Sequence, residues 1–138
     1  MEIKQASGRV FRPRKARKEQ PEAPVKNAVR QYLVLKGWFV TINSQGPMTQ
    51  GRLRGRPDLE AIKRNLTIYV EVKAPARFEG GRWLQEGKLR EDQVWFIDQL
   101  VSHGAKVFVT SDAEEFMREL DDLEMRLWPD GPGPKRLC

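Results

Sequence analysis

Three residues near the middle of the chain have the side chains of a hydrolytic site. Asp58 directly follows Pro57, and Glu71 and Lys73 stand two apart in the stretch LTIYVEVK. That stretch is rich in β-branched residues and reads as a strand, on which side chains two apart share a face. Tyr69, Glu71 and Lys73 then point one way, while Ile68, Val70 and Val72 point into a core. The preceding DLEAI is joined to it by the polar turn KRN, so the two read as an antiparallel hairpin that brings Asp58 to the same cleft. Two converging carboxylates make a hard oxygen site suited to Mg²⁺ or Mn²⁺, ions that keep waters and take substrate phosphate oxygens as further ligands. A lysine beside such an ion orients or helps deprotonate an attacking water and neutralises charge developing on phosphorus. The set suits hydrolysis of a phosphodiester.

The surrounding elements must hold these groups. Pro24 suits a helix start, and Val25, Ala28, Val29, Tyr32, Leu33 and Leu35 recur at helical spacing until Gly37. WFVTIN reads as a strand, followed by the polar, glycine-rich and basic loop SQGPMTQGRLRGRP. After the hairpin, residues 74–88 read as a glycine-rich loop able to act as a mobile flap. Residues 92–101 carry Val94, Trp95, Phe96, Ile97, Leu100 and Val101 on a helical period that ends near Gly104 and leads into the strand KVFVT. A last helix opens at Ser111 or Asp112, ahead of Glu114 and Glu115, with Phe116, Leu120, Leu123 and Leu127 as its apolar stripe. The order α-β-β-β-α-β-α predicts an α/β fold, a mixed β-sheet flanked by helices.

The chain has 138 residues, which suits one domain and therefore one site. Its 25 Lys and Arg against 19 Asp and Glu point to a polyanionic partner. The excess is concentrated at the N-terminus, where Lys4, Arg9, Arg12, Arg14, Lys15, Arg17 and Lys18 face only Glu2 and Glu19 within residues 1–20. We read residues 1–21 as a flexible basic arm, 22–128 as the domain and 129–138 as a Pro/Gly-rich tail. A lone cysteine, Cys138, leaves neither an intramolecular disulfide nor a cysteine zinc site and suits a reducing cytosol. No apolar run is long enough for a membrane span, and no apolar signal segment opens the chain, so a cytoplasmic protein is expected. His103 is the only histidine, which excludes a two-histidine nuclease mechanism.

Taken together, these residues resemble the PD-(D/E)XK nuclease superfamily, restriction-endonuclease-like in fold. PD at Pro57–Asp58 and EVK at 71–73 carry the motif. Glu22, Val25, Val29, Tyr32, Leu33, Gly37 and Trp38 resemble the first helix of VRR-NUC domains and of archaeal and phage Holliday junction resolvases. GRPDL looks like their glycine-led acid motif, and LREDQVWFIDQLVSHGAKVFV looks like their glutamine-bearing helix and following strand, so the likeness spans residues 22–112. The acid motif alone is weak, and the ordered set of four is more specific. The resemblance implies a metal held by Asp58 and Glu71, the backbone carbonyl of Val72 as a further ligand, and Glu22 reaching it through water. It also implies Lys73 as the catalytic lysine and Gln93 as a supporting residue.

These readings converge on a metal-dependent, structure-selective DNA endonuclease, with Mg²⁺ as cofactor and Mn²⁺ as substitute. The most specific form is a Holliday junction resolvase, a homodimer making paired symmetric nicks that leave 5′-phosphate and 3′-hydroxyl ends. Neither a membrane nor a nucleotide cofactor is expected. The basic arm would follow junction arms, Arg52, Arg54 and Arg56 would grip phosphates beside the scissile bond, and Trp83 is the tryptophan best placed for substrate contact. Trp38 and Trp95 fall in core-like patterns. The alternatives are a DNA-binding module that has lost its chemistry, and a flap, nicking or restriction-type nuclease of the same fold. Taken singly, Asp58 also fits a plain strand start and EVK the solvated face of an edge strand.

Overall fold

The computed structural model describes residues 22–43 and 54–131. Helix α1 (Ala23–Leu35) is followed by β1 (Phe39–Ile42), β2 (Leu59–Lys63) and β3 (Leu66–Val72). A short pair, β4 (Arg77–Glu79) and β5 (Arg82–Leu84), precedes α2 (Glu91–Ser102), β6 (Lys106–Thr110) and α3 (Ala113–Leu127). The main sheet has the order β1-β2-β3-β6, antiparallel through β3 and parallel between β3 and β6. This is the mixed α/β architecture that the alternation of patterns predicts.

The β2–β3 hairpin turns through Arg64 and Asn65, both at positive φ (49° and 66°). Two such residues in succession suit a two-residue turn whose twist matches the flanking strands. Its register pairs Leu59 with Val70 and Ala61 with Ile68. Those four side chains are fully buried on one face, beneath Val29 and Leu33 of α1 and Phe116 and Leu120 of α3. The chain at Trp38 is pinned into this core by charge as well as packing. Trp38 Nε1 donates to Glu124 Oε1 at 2.8 Å, Lys63 Nζ donates to the same oxygen at 2.9 Å, and Lys36 Nζ pairs with Glu124 Oε2 at 3.3 Å. Burial pushes the Glu124 carboxyl up, but the hydrogen bonds from Lys63, Trp38 and Lys36 outweigh it and hold it below the usual carboxylate range.

The opposite face of the sheet is covered at one end by α2. Only Gln93 of that helix is buried, and Trp95 is 62% exposed. This corrects the expectation that Trp95 packs in the core: its helix turns Gln93 inward, and Trp95, two positions on, faces away. A second difference lies in residues 74–88, where β4 and β5 form a hairpin of their own, separate from the main sheet. Three-residue strands are too short to show a periodicity in sequence. The basic arm of residues 1–21 and most of the proposed tail lie outside the described residues. Among the described residues, no helix is long and apolar enough to cross a membrane.

Candidate active site

Asp58 sits in the bend that opens β2, and the bend is anchored from both sides. Asn43 Nδ2 donates to the Pro57 carbonyl at 2.7 Å, and the Asn43 N–H donates to the Asp58 carbonyl at 2.8 Å. Pro57 itself is fully buried. Just before it, Gly55 adopts φ +86°, and a side chain there would meet the Asp92 carbonyl oxygen at 2.4 Å. Only glycine permits this approach of the acid bend to the start of α2. The Asp58 carboxylate then reaches the neighbouring strand: Oδ2 accepts from the Val72 N–H at 2.8 Å, and Oδ1 lies 3.5 Å from Lys26 Nζ.

Glu71 projects from β3 on the face opposite Val70 and Val72, and it is 3% exposed. Its Oε1 accepts from Gln93 Nε2 at 2.6 Å, whereas Oε2 is buried without a hydrogen-bond partner. Gln93 is oriented in turn, because its Oε1 accepts from the Arg90 N–H at 2.8 Å and so closes the first turn of α2. A backbone N–H can only donate, so the amide nitrogen must face Glu71. Burial first, and then the neighbouring Asp58 charge, push the Glu71 carboxyl up to about 8.

Lys73 follows β3, its N–H donating to the Thr110 carbonyl at 2.8 Å, and its ammonium pairs with Glu86. The hydrogen bond and the ammonium together pull the Glu86 carboxyl below its usual range. Glu86 is carried by the segment after β5, which is locked to the chain after Lys73 by the Gly87 N–H donating to the Ala74 carbonyl at 2.8 Å.

Asp58, Glu71, Val72, Lys73, Gln93 and Glu22 all line one cleft of about 640 Å³. Glu22 lies at the N-cap of α1, where its carbonyl accepts from the Lys26 N–H at 2.9 Å. The other sequence-derived candidates lie elsewhere. Arg54 pairs with Asp92 at 3.2 Å, Arg56 pairs with Glu60 at 2.7 Å, and Trp83 stands on the separate hairpin; none of the three lines the cleft. Arg52 and the arm residues Arg9, Arg12, Arg14, Lys15, Arg17 and Lys18 lie outside the described residues.

The cleft also holds Lys26, Lys88 and Arg90, which sequence reasoning did not single out. A signal existed for each. Lys26 is one helical turn beyond Glu22 and so on its face, and Lys88 and Arg90 stand immediately before the helix that carries Gln93. With Lys73 they surround two close carboxylates with cations, an arrangement that accepts a phosphate and a hard metal ion side by side. Among the described residues, no group of three or more His, Cys, Asp or Glu side chains gathers as a complete metal cage.

No protein-family profile matches the chain, and no curated protein matches it. A solved structure described as "VRR_NUC domain" is similar over 75% of this chain and 97% of its own, with a TM-score of 0.55 and 21% sequence identity. At that identity the likeness establishes the fold, a restriction-endonuclease-like mixed sheet flanked by helices.

Proposed function

We propose that this protein is a metal-dependent DNA endonuclease acting on branched DNA, with the four-way junction as its preferred substrate and resolution by paired nicks as its reaction. The observation that carries this reading is the pairing in one cleft of Asp58 with a buried Glu71 whose Oε2 has no partner, beside Lys73.

A divalent metal fits these residues. A buried carboxylate oxygen without a donor is costly unless a cation or water meets it, and the Asp58 carboxylate opens on the same cleft. Asp58 and Glu71 would hold Mg²⁺ or Mn²⁺, with the Val72 carbonyl as a further ligand and Glu22 reaching it through water. When bound, such an ion lowers the pKa of water and withdraws charge from a phosphoryl oxygen.

The chain's own groups supply the rest. Gln93 fixes the Glu71 carboxylate, so its free oxygen faces the cleft without reorganisation. Lys73, held by Glu86, places an ammonium where charge grows on the attacked phosphate. Lys26, Lys88 and Arg90 bind the flanking phosphates. Water oxygen bonds to phosphorus as the bond to the 3′ oxygen breaks, and that oxygen takes a proton, leaving a 3′-hydroxyl and a 5′-phosphate.

Resolution needs two nicks related by symmetry, which a two-fold homodimer provides. The sheet face away from α1 and α3 supports such a partner, because Phe39 (68%) and Ile62 (40%) stand exposed there. The basic arm of residues 1–21 would add salt-sensitive contacts to the junction arms.

The test offers four-way junction, linear duplex and flap DNA to the purified protein with Mg²⁺, Mn²⁺ or EDTA. Metal-dependent nicks on the junction, absent with Asp58→Ala, are expected. Equal cutting of all three would remove junction selectivity, and binding without cutting in any metal would replace the enzyme with a binding module.

A further inference from the structure

The β4–β5 hairpin is built unlike the rest of the fold. It pairs only with itself, Phe78 opposite Trp83, and its two rings meet edge to face with centroids 5.5 Å apart. Phe78 is 62% and Trp83 74% exposed. A two-stranded hairpin with no core beneath it gains little from exposing two large rings to water. The tip turns through Gly80 and Gly81, both at positive φ, and a side chain at either would meet nothing within 4 Å. The tip therefore projects into open space. The root does the opposite. Ala74 and Gly87 close it with a 2.8 Å hydrogen bond, a side chain at Gly87 would meet the Ala74 nitrogen at 3.2 Å, and both residues line the catalytic cleft.

We infer that this hairpin is the element that reads branched DNA, with the Phe78–Trp83 pair taking the face of a base left unstacked where the duplex branches. This rests on the nuclease reading of the cleft at its root. Base faces inside a duplex are covered by their neighbours, so an exposed aromatic pair finds a partner only at a branch, an end or a single strand. Stacking of that kind tolerates any base. The reach agrees, since from Ala74 to Phe78 the chain spans at most about 13 Å, or about four base-pair steps along a duplex axis from the cleft. Arg77, which pairs with Glu79 at 2.7 Å, and Arg82, opposite Glu79 in the register, flank the rings and bring positive charge towards the neighbouring phosphates. A second copy of the chain is the poorer occupant. Two aromatic side chains bury at most about 500 Å² together, against about 800 Å² on each partner of a stable interface.

The test compares binding of a labelled four-way junction and of a linear duplex with the same arm sequences, in EDTA, followed by cleavage in Mg²⁺. The proteins are wild type, a Phe78→Ala/Trp83→Ala double variant, and Trp83→Phe, which keeps a stacking face. The junction-over-duplex preference should fall about tenfold or more in the double variant and stay within about twofold of wild type in Trp83→Phe. An unchanged preference, equal losses on both DNAs, or a wild type without preference would each overturn the inference. So would light scattering in which the double variant alone is monomeric, which would assign the rings to a second copy. A wild type that prefers the junction through these rings yet cuts nothing in Mg²⁺ would sink the nuclease reading while upholding the hairpin's role.

Discussion

Gln93 Nε2 lies 2.6 Å from Glu71 Oε1, and the same amide's oxygen accepts from the Arg90 N–H at 2.8 Å, so one side chain both starts α2 and holds the buried carboxylate. Gln93→Ala removes the side-chain amide that donates to Glu71 Oε1 and one cap of the helix. The expected cost is about 1–3 kcal/mol of stability in urea unfolding, with a 10- to 100-fold weaker apparent Mn²⁺ affinity by calorimetry. Unchanged values in both would remove Gln93 from the site.

Acid should stabilise the metal-free protein. The Glu71 carboxyl is raised from an ordinary 4.5 to about 8, so the folded state holds a proton that the unfolded chain has released. The stability this gives is fully present below about 4.5 and is lost as pH rises through about 8. Asp121 and Glu124, held low, act in the opposite sense only at the acid end, below the ordinary carboxylate range. In EDTA the Tm at pH 5.5 should therefore exceed that at pH 8.5, and Glu71→Gln should flatten the difference. Mg²⁺ should raise the Tm most at the alkaline end, where Glu71 is ionised. A Tm that climbs steadily from pH 5.5 to 8.5 in EDTA would contradict the burial argument.

Glu86 should matter to turnover more than to binding. Its carboxylate is the partner of the Lys73 ammonium, on a segment locked to Ala74. Glu86→Ala is expected to lower kcat about tenfold with little change in KM, since the lysine loses its orientation but the flanking cations remain. Glu86→Gln should recover part of the loss. A rise in KM alone would make Glu86 a substrate contact.

The far end of the sheet offers a control. Glu124 gathers Trp38, Lys63 and Lys36, well away along β2 from Asp58. Glu124→Ala leaves Lys63, only 16% exposed, without its carboxylate and should cost about 3 kcal/mol. Cutting per folded molecule should be unaltered, measured at a temperature where the variant is fully folded.

Light scattering should show a dimer, and Phe39→Asp should shift it towards monomer by placing a charge on the exposed sheet face. A dimer indifferent to that change would place the interface elsewhere.

What sequence makes visible here follows the periodicities. The β2–β3 hairpin alternates strictly, with Ile68, Val70 and Val72 buried on one side and Glu71 on the other, so the placement of Asp58, Glu71 and Lys73 near one another was legible from spacing and a turn. Gln93 was legible only through resemblance, because a polar residue on a helix carries no mark of the carboxylate it will meet. Lys26 was legible only as a neighbour of Glu22 on one helix face, since its approach to Asp58 depends on how α1 lies across the sheet. Trp95 misled for a related reason: α2 is apolar on more than one side, and composition alone does not say which side the sheet receives. Residues 74–88 read as a flap and Trp83 stood out within it, but the pairing of β4 with β5 that sets Phe78 against Trp83 did not show, because its strands are three residues long.

The most direct test uses a supercoiled plasmid that extrudes a cruciform, incubated with the full chain in Mg²⁺. Two opposed nicks at the four-way junction give linear DNA, whereas a single nick lets the cruciform be reabsorbed and gives an open circle. Linear product with ligatable 5′-phosphate ends is expected, and intact supercoils with EDTA or with Asp58→Ala. Supercoiled plasmid left uncut by the wild type in both Mg²⁺ and Mn²⁺ would contradict it.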